Sequence, residues 1–260
     1  MQLHAKCYGS DNNPPLVILH GLFGNQDNWA GQANALAEHY QVWALDLRNH
    51  GRSDWDSDTS YAAMSDDLLQ FIDAQEFDRI LLLGHSMGGK VAMQFALDNP
   101  QRVEKLIVVD IAPVWYPAHH NEVFAGLNAL DLSTLNSRRD ADRLLEASIA
   151  DPSIRQFLLK NLYRDGDQFG WRMNLAALES GYEQIAAAPK ARGEHRCYQG
   201  PTLFIKGELS NYIQTQYREA IATLFPSAEA RIMSAVGHWP HAEKPKAFSA
   251  LIMRFLEKKA

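Results

Sequence analysis

The chain has 260 residues, enough for one large α/β domain carrying an insertion and too few for two domains of ordinary size. Hydrophobic residues make up 46% and the formal charge is −6, with lysines and arginines scattered rather than massed in a stripe, which argues for a sizeable core and against a nucleic-acid partner. The two cysteines, Cys7 and Cys197, match no metal or redox spacing and the first residues form no apolar leader, so reduced thiols in a soluble, cytoplasmic chain without a membrane partner are expected.

Gln2 to Tyr8 alternates as an edge strand, and Gly9 to Pro15 is a turn-rich connector. Leu16-Val17-Ile18-Leu19 reads as the first buried strand and runs into His20-Gly21-Leu22-Phe23-Gly24. The two glycines there let backbone approach a bound group, although a packing loop would use the same residues. A helix over Trp29–Tyr40 and a strand over Gln41–Leu45 follow, closing on a polar loop, Asp46 to Ser53, read as structural. Met64 to Ala74 has helical period, with Ser60 or Ser65 available as its cap.

The stretch that organises the chain comes next. Arg79 to Leu83 has the continuous aliphatic character of a strand covered on both faces, and Met87 to Asp98 has helical composition ending before Pro100. Between them lies Gly84-His85-Ser86-Met87-Gly88. Glycine on each side of the corner lets strand and helix come together around a strained serine, whose hydroxyl then projects above the sheet edge at a helix N-terminus. Ser86 is therefore the candidate nucleophile. Val103 to Ile111 is another strand, with Asp110 at its C-terminal end.

From Val114 to about Arg196 the texture becomes charged, helical and aromatic with no convincing strand, which predicts an insertion of about four helices over the strand ends. Asp165-Gly166-Asp167 resembles the start of a calcium loop but lacks the required glutamate, so no metal is implied. Pro201 to Ile205 returns to strand texture, Tyr212 to Leu224 reads as a helix, and Ala230 to Met233 as a last strand leading to Gly237-His238-Trp239-Pro240-His241. Lys246 to Lys258 closes the chain as an amphipathic helix. This alternation predicts a mostly parallel sheet flanked by helices.

Taken together, His20-Gly21-Leu22-Phe23-Gly24, Asp46 to Ser53, Gly84 to Gly89 and Gly237-His238 resemble the α/β-hydrolase family in order and spacing. Within it, Asn49-His50-Gly51, Asp110-Ile111-Ala112-Pro113 and His238 to Pro245 are most similar to the small bacterial YbfF-type esterases. The resemblance implies an α/β-hydrolase fold, with residues 1–113 and 197–260 as the core domain and 114–196 as a helical cap. It implies a carboxylic-ester hydrolase working through an acyl-enzyme on small acyl esters, with acyl-CoA thioesters as a further substrate class and no cofactor. C–C bond hydrolases and perhydrolases share the same serine triad, and the fold also serves as a ligand receptor with little turnover. Oligomeric state is not legible.

A serine hydroxyl needs a base within reach and a group that orients it. His238 is the candidate base, in the order serine, acid, histidine; His241 is its competitor. His85 points away by strand alternation, and His20 braces its loop. Relatives usually place an aspartate three residues beyond the glycine of the penultimate strand, where this chain has Ser210 after Gly207. Serine cannot hold a charge against an imidazolium, so the acid role goes to Asp110, with Glu208 in reserve. The backbone N–H groups of Leu22 and Met87 are carried over as the oxyanion hole, and Phe23, Trp115, Tyr116 and Trp239 are expected as pocket walls.

Overall fold

The computed structural model describes residues 1–166, 168–193 and 196–258. Its strands and helices run β1 (Ala5–Tyr8), β2 (Pro15–Leu19), α1 (Ala30–Leu36), β3 (Gln41–Leu45), α2 (Tyr61–Ala74), β4 (Ile80–His85), α3 (Met87–Asp98) and β5 (Val103–Val109). Then come α4 (Asn121–Asn128), α5 (Arg138–Leu145), α6 (Pro152–Leu158), β6 (Leu162–Asp165), β7 (Gln168–Trp171), α7 (Leu175–Ser180) and α8 (Tyr182–Ala186). The chain ends with β8 (Thr202–Gly207), α9 (Arg218–Leu224), β9 (Ala228–Met233), α10 (Pro240–Glu243) and α11 (Pro245–Leu256).

Seven strands form one sheet in the order β1-β3-β2-β4-β5-β8-β9, with β1 antiparallel and the rest parallel. The aliphatic runs read in the sequence are its buried middle. Along β2, Val17 and Leu19 pack on the face covered by α2 and α3, whereas Leu16 and Ile18 pack on the face covered by α1 and α11. Alternation with both faces apolar is what a strand covered on two sides requires. Helix α3 is buried along nearly all its length, which explains Val91-Ala92-Met93 and Phe95-Ala96-Leu97.

The order places a switch point between β2 and β4, since the chain leaves β2 for β3 on one side and returns to β4 on the other. Open α/β sheets bind ligands in the crevice beyond strand ends at such a point. Leu19 pairs with Gly84, His85 with Val109, and Ile205 with Val109, so the loops after β2, β4, β5 and β8 emerge side by side.

Several boundaries differ from the sequence expectation for identifiable reasons. Helix α2 begins three residues early because the Ser60 side chain accepts from the Ala63 N–H; Ser65 is buried inside the helix. The predicted Trp29–Tyr40 helix is shorter and is preceded by a 3-10 turn, Gln26–Trp29, capped by Asn25. The predicted Tyr212–Leu224 helix starts only at Thr215 with a 3-10 turn, leaving Tyr212 in a loop. Among its described residues the insertion holds five helices and, against expectation, an antiparallel hairpin of β6 and β7. Strands of four residues are too short to show a period, and their turn depends on Gly166 at φ +59°. Asp167 of the calcium-like triplet lies outside the described residues. Among the described residues no cluster of metal-ligating side chains occurs, and no helix is long and apolar enough to cross a membrane.

Candidate active site

Ser86 follows β4 with φ 53° and ψ −120°, a left-handed conformation that costs an L-residue energy and persists only where surroundings over-determine it. The flanking glycines explain how. A Cβ on Gly84 would stand 2.1 Å from the carbonyl oxygen of Gly88, and one on Gly88 would stand 2.4 Å from that of His20. The Ser86 N–H donates to Val109 O at 3.0 Å, which ties the corner to β5. Among the described residues six non-glycine residues have positive φ, and three of them, Phe23, Ser86 and Asp110, stand at neighbouring strand ends.

Asp110 is fully buried, and its carboxylate is organised by three donors. The Gly207 N–H donates to Oδ1 at 3.0 Å, the Ser210 hydroxyl donates to Oδ2, and His238 Nδ1 lies 2.8 Å from Oδ2. Nδ1 thus carries the proton toward Asp110, which leaves Nε2 in the acceptor form. The Tyr212 ring stacks on His238 with centroids 4.2 Å apart. Glu208, the reserve acid, is turned away: its carboxylate accepts from Ala235 N at 2.7 Å.

Three further histidines at these strand ends, His85, His241 and His20, are buried. His85, expected to point away, lies behind His238, with Nε2 2.8 Å from the His238 carbonyl oxygen and the rings 4.7 Å apart. Alternation holds through His85, whose ring keeps to the Leu81 and Leu83 face beside Trp29 at 6.3 Å and His241 at 4.8 Å, yet at the strand end that face borders the cavity that Ser86 lines. Burial holds the His85 pKa well below the usual range. His241 stacks on Trp29 at 4.2 Å and is likewise lowered by burial, to about 3, and it makes no contact with Asp110. His20 accepts from Leu47 N through Nε2 at 3.0 Å and braces its loop. Its pKa falls to about 4, again through burial.

Ser86 and His238 line one cavity of about 290 Å³, walled also by Phe23, Phe157, Trp239 and His120. A smaller cavity of about 40 Å³ also borders Ser86 and is lined by Tyr116 and Lys90. Of the four expected pocket walls, Phe23 and Trp239 face the larger space and Tyr116 only the smaller. Trp115 does not line either cavity; it is 56% exposed on the surface, because the chain there leaves the sheet edge with Tyr116, not Trp115, turned inward to donate to the Tyr212 carbonyl. Among the described residues, neither the Leu22 nor the Met87 N–H has a protein acceptor. His119, His120, Phe157 and Tyr212 were not singled out from the sequence as site residues, since only tertiary contacts bring them over Ser86.

A strained serine at a strand-to-helix corner, with a histidine and a buried aspartate on the following strand ends of a parallel sheet, defines the architecture of an α/β hydrolase. The chain belongs to the α/β-hydrolase fold family, whose model matches residues 14–245. It is 39% identical to esterase YbfF of Escherichia coli (strain K12) over 246 residues, covering 94% of each chain. It is also 39% identical to the sn-1-specific diacylglycerol lipase ABHD11 of Mus musculus over 256 residues, 95% of this chain and 82% of that one. Among solved structures, a marine microorganism esterase superimposes with TM-score 0.94 at 38% identity, covering 98% of this chain and 99% of the other.

Proposed function

We propose that the protein is a serine carboxylic-ester hydrolase that works through an acyl-enzyme. Ser86 Oγ attacks the ester carbonyl while His238 Nε2 takes its proton, and the carbonyl oxygen becomes an oxyanion held by the N–H groups of Leu22 and Met87. Collapse of the tetrahedral adduct breaks the bond to the leaving alcohol, which receives the proton from His238. Water then attacks the acyl-Ser86 ester by the same route, releasing the acid and restoring the serine. Asp110 holds Nδ1 protonated and stabilises the imidazolium in both halves. Residues 114–196 act as a cap that shapes the substrate range over a core of residues 1–113 and 197–260.

The observation that carries this reading is the 2.8 Å contact of buried Asp110 with His238, which lines the same cavity as Ser86. Esters of small acids and acyl-CoA thioesters present the same carbonyl to that machinery, and relatives named as esterases and as diacylglycerol lipases add glycerol esters to the set. The test is turnover of p-nitrophenyl esters, a diacylglycerol and short acyl-CoA thioesters by wild type and Ser86→Ala. Loss of about 10⁶ in kcat on removing the nucleophile is expected. Unchanged turnover by Ser86→Ala overturns the proposal.

A further inference from the structure

Phe23 sits in the loop that follows β2, one residue beyond Leu22, with φ +61°, a conformation a phenylalanine does not adopt without support. The support comes from two sides. Its N–H donates to His50 Nε2 at 3.2 Å, from the loop after β3. Its carbonyl accepts from Asn161 Nδ2 at 2.7 Å, from the 3-10 turn Leu159–Asn161 of the inserted segment. Both polar atoms of this one residue are thus clamped by side chains distant in sequence.

The Asn161 side chain is completely buried and its hydrogen bonds are accounted for. Nδ2 also donates to Leu158 O at 3.2 Å, and Oδ1 accepts from Asn25 Nδ2 at 3.3 Å. The amide orientation is dictated, because the reverse would set Oδ1 against two carbonyl oxygens. The Asn161 carbonyl in turn accepts from Arg172 N at 2.8 Å, which ties the turn to β7 beyond its end. A continuous path of hydrogen bonds therefore runs from the β6–β7 hairpin to the backbone next to Leu22.

We infer that Asn161 is a positioning residue through which the inserted segment holds the oxyanion loop in its strained, active conformation. Since Leu22 donates to the oxyanion in the acyl-transfer reading proposed above, releasing the Phe23 carbonyl lets φ of Phe23 relax and swings the adjoining Leu22 N–H off the position where negative charge develops. Asn161 touches no substrate; it acts on the transition state through Phe23 and Leu22.

The experiment compares wild type, Asn161→Ala and the isosteric Asn161→Asp on p-nitrophenyl butyrate, together with inhibition by an aryl trifluoromethyl ketone, which forms a tetrahedral adduct on the serine. Removing one oxyanion donor outright costs about 10²–10³ in kcat, so misplacing one is expected to cost about 10–10². KM should stay within about threefold, and ketone affinity should fall by the same factor as kcat/KM. Asn161→Asp keeps the volume but sets an acceptor against the Phe23 carbonyl, and shows the same split. A folded variant of either kind with kcat within threefold of wild type, or with its loss confined to KM, overturns the inference. Wild-type turnover with unchanged Asn161 variants refutes this inference alone, whereas a wild type that turns over no ester refutes the acyl-transfer reading with it.

Discussion

Replacing Asp110 by asparagine tests the acid with a defined mechanism. Three donors converge on the buried carboxylate: Gly207 N–H on Oδ1, and Ser210 O–H and His238 Nδ1–H on Oδ2. An amide has one oxygen, and the fixed backbone N–H of Gly207 selects the rotamer that keeps oxygen at the Oδ1 position. The NH2 group then faces His238 Nδ1 and donates to it. That forces the imidazole proton onto Nε2, where it blocks proton transfer from Ser86. Ser210 adapts by rotating its hydroxyl to accept. The substitution therefore leaves geometry and packing intact while inverting the tautomer, a change that costs about 10⁴ in kcat, or about 5 kcal/mol of transition-state stabilisation. Steady-state kinetics on a p-nitrophenyl ester gives kcat and KM, and KM should move little. Thermal unfolding confirms the fold, and partial recovery above pH 9, where hydroxide substitutes for the base, marks the tautomer mechanism. A variant retaining kcat within tenfold of wild type refutes the assignment.

Further outcomes follow from the same contacts. Gly88→Ala drives a methyl to within 2.4 Å of the His20 carbonyl oxygen and must push β2 and α3 apart; a loss of about 1–3 kcal/mol together with a fall in kcat is expected, and wild-type melting and turnover would contradict it. Burial lowers His20, His50 and His241 to about 4, 3 and 3, so in the window from pH 6.5 down to those values the unfolded chain binds protons the folded one refuses. Stability is full above pH 6.5 and falls with acidification; urea titrations at pH 7.5 and 5.5 should differ by about 1 kcal/mol per histidine, and a flat profile argues against it. Lys90 is buried with its ammonium donating to the carbonyls of Ala186 and Ala187, and burial lowers its pKa to about 7. The unfolded lysine keeps its proton to about pH 10.5, so stability rises between the two values. Lys90→Met should abolish about 2 kcal/mol of gain between pH 7 and 9, and parallel profiles for both proteins would count against the shift.

The strand ends were legible in the sequence because each local signal there has a local cause. Gly84 and Gly88 are required by contacts of their own backbone, Ser86 by the corner between them, and Asp110 by the end of an aliphatic run. The choice of Asp110 over Ser210 rests on charge, on Asp110's place at the same sheet edge and on the family resemblance; in the fold the two side chains meet, the serine donating to the acid. What was illegible depends on distant contacts. Nothing near Asn161 marks it as a partner of Phe23, 138 positions earlier, and the local pattern places Tyr212 in a helix although it lies in a loop stacked on His238. His85 keeps to the face that alternation assigns it, but that this face borders the cavity at the strand end follows only from how Trp29 and His241 pack there. Trp115 and Tyr116 are alike in composition, and only the path of the chain decides that one faces solvent and the other the sheet edge. The polar loop after β3 gives no sequence signal of a link to the site, yet His50 within it accepts from the Phe23 N–H.

The most direct test of the central claim is covalent capture of the nucleophile. Wild type and Ser86→Ala are incubated with an alkyl fluorophosphonate, and intact-mass spectrometry is followed by peptide mapping. The account predicts one adduct per wild-type chain on the peptide containing Ser86, lost together with esterase turnover in Ser86→Ala. An adduct on another residue, or an Ser86→Ala protein that still labels and still hydrolyses ester at the wild-type rate, would contradict it.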